Sequence, residues 1–103
     1  MTNTDMNIAQ TIADQIGGRA FVMMGTTQKV AVKEGLQFNV GKNSKAINVI
    51  RIELEPSDTY RVRFYGRMSS KTFQRKEKGD FSMVYVEDLR GLIERQTGLY
   101  LSL

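Results

Sequence analysis

The chain contains no cysteine, no histidine and no tryptophan, and only one proline in 103 residues. Without cysteine there is no disulfide framework and no thiolate nucleophile. Without histidine there is no imidazole acid–base catalyst, no conventional zinc site and no His-based triad. The missing histidine also means that the net charge of +4, from 15 Lys and Arg against 11 Asp and Glu, barely changes between about pH 5 and pH 8. Long apolar runs are absent as well. No stretch, Ala20 to Met24 included, approaches the roughly 20 residues needed to cross a bilayer. Residues Met1 to Gln10 lack the basic cluster and apolar run of a secretory signal. These absences set the expectation of a soluble, cytoplasmic, non-enzymatic protein without a membrane partner.

What is present is 41% apolar and 25% charged, which excludes wholesale disorder and suits a single domain over residues 1–103. From Thr4 to Ile16, Ile8, Ala9, Ile12, Ala13 and Ile16 recur at spacings of three and four, one stripe of a helix. Thr4 can cap its start and Asp5 suits the positive end of its dipole, while Gly17 and Gly18 end it. The period then changes to two. Strands are expected over Arg19–Met24, apolar on both faces, and over Gln28–Lys33, Leu36–Val40, Ala46–Leu54 and Thr59–Gly66, with a weaker one at Ser69–Lys76. Lys78-Gly79-Asp80 reads as a turn, Phe81–Tyr85 as a short strand or an entry segment, and Val86–Gln96 as a helix closed by a left-handed Gly98. Tyr100, Leu101 and Leu103 are too apolar for a loose tail. The expected class is α+β: an antiparallel sheet of about five or six strands flanked by an N-terminal and a C-terminal helix packed on one face.

Register follows from side-chain matching, because paired residues point to the same side of a sheet. Pairing Leu54 with Tyr60 places Ile52 beside Val62, Ile50 beside Phe64 and Glu53 beside Arg61, whereas a slip of one residue sets Ile52 against Arg61. On these faces Phe21, Met23, Ile47 and Val49 fall outside the main core and need cover, either from a helix over the second face or from a partner chain, as in a homodimer.

Motif tests for catalysis fail. Gly41-Lys42 resembles a phosphate loop, but five residues rather than four separate it from Gly35, Asn43 follows the Lys, and the segment joins two strands. The carboxylates have structural explanations, with Glu53 as a cross-strand partner, Glu55, Asp58 and Asp80 in turns, and Glu87 and Asp88 at a helix start. No spacing recommends a metal or a cofactor.

The charge distribution is more informative. Residues 41–78 hold ten basic and four acidic side chains, a net +6, against −2 for the rest. Arg51, Arg61 and Arg63 alternate with apolar residues and share the polar sheet face, and Tyr65 is in phase with them. Cations that track phosphates beside rings that stack on bases are what a single-stranded nucleic acid requires. The candidate contacts are Arg51, Arg61, Arg63, Arg67 and Lys71, with Lys42 and Lys45 on the adjoining loop and Tyr65 stacking. Phe73, between Lys71 and Arg75, is either a second platform or the inward residue of its strand.

At Asp58-Thr59-Tyr60-Arg61-Val62-Arg63-Phe64, at Tyr85–Leu89 and at Thr97-Gly98-Leu99-Tyr100, the chain resembles a group of small uncharacterised proteins encoded by bacteriophages and related mobile elements, from about Ile12 to the end. The resemblance implies a phage or prophage setting in a bacterial host, where small basic proteins bind nucleic acid or a host protein. It implies no catalytic residue. The expected function is nucleic-acid binding; the alternatives are a protein-interaction module, acting as adaptor or inhibitor of a host protein, and a virion structural subunit.

Overall fold

The computed structural model describes residues 3–101, with side chains from residue 6 onward. Its order is α1 (Asn3–Ile16), α2 (Gly18–Met24), β1 (Thr27–Val32), β2 (Gly35–Asn39), β3 (Val49–Leu54), β4 (Tyr60–Met68), β5 (Arg75–Val84) and α3 (Val86–Thr97). The strands form one antiparallel meander in the order of the chain. This is the α+β architecture that the alternation predicts. Thr4 lies within α1 rather than ahead of it; the side chains of Thr4 and Asp5, and all of Leu103, lie outside the described residues.

One sheet face carries the core. Leu36 and Phe38 from β2, Ile50 and Ile52 from β3, and Tyr60, Val62 and Phe64 from β4 meet Ile12 and Ile16 of α1, Ala20, Phe21 and Met24 of α2, and Leu89, Leu92 and Ile93 of α3 in one cluster. All three helices therefore cover the same face, and the opposite face is open. The β3–β4 register is the one that side-chain matching selects: Leu54 opposes Tyr60, Ile52 opposes Val62, Ile50 opposes Phe64 and Glu53 opposes Arg61. Because the side-chain period is two, this register sends Arg51, Glu53, Arg61 and Arg63 to the open side together.

Three expectations are corrected. Residues 19–24 are helix α2, not a strand: Ala20, Phe21 and Met24 are buried on one side while Val22 is exposed. A short continuous apolar run fits either state, and packing onto the core decides it. Ser69–Lys76 is not a strand of its own, since residues 69–74 form the tip of the β4–β5 hairpin. Lys78-Gly79-Asp80 is no turn but lies inside β5, which absorbs the short strand expected at Phe81. Gly79 serves close packing instead. It opposes Phe64, and a Cβ there would stand 3.0 Å from the Phe81 ring and 3.4 Å from that of Phe64. Those rings make an edge-to-face pair with centroids 6.0 Å apart.

Phe21, Ile47 and Val49, expected to need cover from a helix or a partner chain, are all buried within the chain itself, and Met23 is half-buried. The sequence reason for a homodimer falls away with them. At the other end of the molecule the packed C-terminal segment is found. Gly98 is left-handed and its N–H donates to the Glu94 carbonyl, and Leu101 is fully buried, its N–H donating to the Glu94 carboxylate at 2.9 Å. Tyr100, by contrast, is exposed.

Candidate nucleic-acid interface

The sequence-derived residues separate into two groups. Arg51, Arg61, Arg63 and Tyr65 share the open sheet face, as the alternation predicts. Their charges are largely balanced there. Glu53 takes a guanidinium from each side, Arg51 at 3.2 Å and Arg63 by a short contact. Arg61 donates twice to Asp80, at 2.9 and 2.6 Å. Both of the latter two partnerships are diagonal: Arg61 stands directly opposite Glu53, and Arg63 opposite Asp80, yet each bonds the other's acid. The Arg61 hydrogen bonds hold the Asp80 carboxyl below the usual carboxylate range, and the same bonds push the Arg61 guanidinium further up. Three arginines facing two interleaved carboxylates make a polar surface of small net charge.

The uncompensated charge lies elsewhere. Where the 40–48 loop meets the far ends of β4 and β5, a hollow of about 410 Å³ is lined by Lys42, Arg67, Lys76 and Lys78 together with other residues of the loop, Asn43 and Asn48 among them. No carboxylate lines it, and none of the four cations has an ion-pair partner among the described residues. The site is built from a tied loop and a twisted ribbon. The Asn43 amide donates to the carbonyls of Gly41 (2.9 Å) and Ile47 (2.7 Å), and its oxygen accepts the Ile47 N–H (3.0 Å). Asn48 N–H then donates to the Tyr65 carbonyl, joining the loop to β4. Register shifts between Phe64 and Tyr65 and between Tyr65 and Met68 re-aim the β5 side chains at this end. Glu77 stands opposite Tyr65, while Lys76 and Lys78, its neighbours on either side, line the hollow.

A second hollow of about 340 Å³ lies against the same hairpin, bounded by Gln37, Arg51, Tyr65, Met68, Gln74 and Arg75 over Val49. Tyr65 is half-buried there, and Arg75 is braced by a bond to the Gly66 carbonyl at 3.2 Å. The β4–β5 arm thus carries Arg67, Lys76 and Lys78 into one hollow and Tyr65 and Arg75 into the other. Lys45 is exposed on the loop and Lys71 at the hairpin tip.

Lys76 and Lys78 belong to the basic balance of residues 41–78 but are not among the contacts that the sequence pattern predicts. The signal was the run Arg75-Lys76-Glu77-Lys78, and reading Lys78-Gly79-Asp80 as a turn hid which strand it belonged to. Chemically the arrangement offers several cations around one hollow, with no carboxylate among its lining residues. It can hold a polyanion. Among the described residues no cluster of acidic side chains could hold a metal ion, and no helix is long and apolar enough to cross a membrane. No protein-family model, no curated protein and no solved structure matches the chain.

Proposed function

We propose that this is a small non-enzymatic phage-type protein that binds nucleic acid, preferentially single-stranded, along the β4–β5 arm. The observation that carries the reading is the hollow in which Lys42, Arg67, Lys76 and Lys78 converge without a carboxylate among its lining residues. Clustered like charges repel one another, and phosphates entering the hollow relieve that repulsion while releasing their own counterions. Lys45 and Lys71 extend the track along the loop and the hairpin. Tyr65 supplies a ring beside it, and the arginines of the open face form its flank. Major-groove reading has no support, because α3 is acidic in its first turn and has one base in its last.

Fluorescence anisotropy with a labelled single-stranded oligonucleotide tests this. Four phosphate contacts give a slope of log affinity against log salt near −3, at about −0.7 per contact. Micromolar or tighter binding at low salt that weakens with that slope is expected. Binding that ignores salt, or no binding at all, overturns the reading. One observation favours protein contact instead: Met83, Tyr85 and Val86 are all exposed within four residues. A host protein retained from nuclease-treated lysate, with no oligonucleotide binding, would favour that alternative.

A further inference from the structure

The tip of the β4–β5 arm presents an aromatic ring that nothing in the fold uses. Phe73 is 75% exposed, the largest exposure of any phenylalanine among the described residues. Its backbone is left-handed, at φ +57°, a conformation that is uncommon for a residue with a Cβ and a genuine outlier for a bulky one. Gly or Asn would take that position at less steric cost. The turn around it is firmly made. Phe73 N–H donates to the Ser69 carbonyl at 2.8 Å and Ser69 N–H to the Gln74 carbonyl at 2.9 Å. The Ser69 hydroxyl accepts the N–H groups of Lys71 and Thr72 at 3.2 and 3.4 Å. An ordered turn therefore holds an apolar ring in water, in a backbone conformation that disfavours it.

The surroundings state what the ring would meet. From Thr59 to Lys76 the chain has no carboxylate and six cations, of which Arg67, Lys71, Arg75 and Lys76 belong to the arm. A polyanion with accessible aromatic faces satisfies both features. Single-stranded nucleic acid is such a polyanion: a duplex hides its base faces in the stack, and an apolar protein surface would leave the cations unmatched.

We infer that Phe73 is a base-stacking residue, on which an unpaired base lies while the flanking cations hold the adjoining phosphates. This rests on the nucleic-acid reading above and adds to it the element that distinguishes single strands from duplexes. The test compares a single-stranded oligonucleotide with an abasic one of equal length, binding to the native chain and to Phe73→Asn. The native chain is expected to prefer the base-bearing strand about tenfold, and Phe73→Asn to cut that preference to what Tyr65 alone supplies, while leaving the salt slope where it was and not lowering the melting temperature. Because the chain has no Trp, Phe73→Trp adds a single reporter whose emission should be quenched on binding the base-bearing strand. Salt-dependent binding with a base preference undiminished in Phe73→Asn, or unquenched Trp emission in the bound state, overturns the role of Phe73 and leaves the cationic track standing. Loss of salt-dependent binding to both oligonucleotides in the native chain overturns the two together.

Discussion

The two halves of the β4–β5 hairpin use the same residue types for opposite ends. Near the helices, Phe64 is fully buried against Phe81, and the arginines that alternate with it are matched by Glu53 and Asp80. Beyond Gly66, Phe73 stands in water and Arg67, Lys71 and Lys76 form no ion pair among the described residues. A basic residue on a strand is thus no indicator of a binding surface by itself. What matters is whether the neighbouring strand supplies a carboxylate within reach, which is a property of the pairing and not of the residue.

The contrast can be broken most severely at its two phenylalanines. Phe64→Ala should cost about 3–5 kcal/mol in chemical denaturation, because a ring without exposure is replaced by a cavity. Phe73→Ala should stay within about 0.5 kcal/mol of the native chain. Equal losses would show that the hairpin is one packed unit. Next in size, Lys76→Ala with Lys78→Ala should lower oligonucleotide affinity at least about tenfold at low salt and reduce the salt slope by about 1.4, with the melting temperature unmoved. A larger loss from Arg61→Ala with Arg63→Ala would move the site to the open face.

Arg63→Ala sharpens the other side of the comparison. It leaves the half-buried Glu53 without its shorter partner and should cost about 1 kcal/mol in stability, with less effect on binding than the lysine pair. The smallest effect belongs to acid. Arg61 depresses the Asp80 carboxyl in the folded chain, so the contribution of that pair is present above the ordinary Asp value of about 3.9 and is lost as pH falls through the lower, folded value. Melting temperature followed into acid should show this loss in the native chain and lack it in Asp80→Asn.

Much of the fold is legible along the chain where one physical signal dominates. The α1 stripe ending at Ile16, the Leu54–Tyr60 register and the Gly98 cap each follow from local periodicity or from the left-handed conformation that glycine tolerates. Legibility fails where two signals compete. Residues 19–24 are apolar throughout, so their period is hidden and only the contact of Phe21 with Phe38, at 5.2 Å between ring centroids, reveals a helix laid on the sheet. At Lys78-Gly79-Asp80 the turn chemistry is real but is overridden by the packing of two rings across Gly79.

By itself the sequence determined the class, the basic balance of the middle segment and the side of the sheet on which Arg51, Arg61 and Arg63 emerge, since alternation and composition are local properties. Only the tertiary structure decided which of the cations are neutralised. Ion pairing depends on distances between neighbouring strands, and those distances follow from the β4–β5 pairing, which sets Asp80 diagonally across from Arg61 and leaves Lys76 and Lys78 lining the hollow beside the loop.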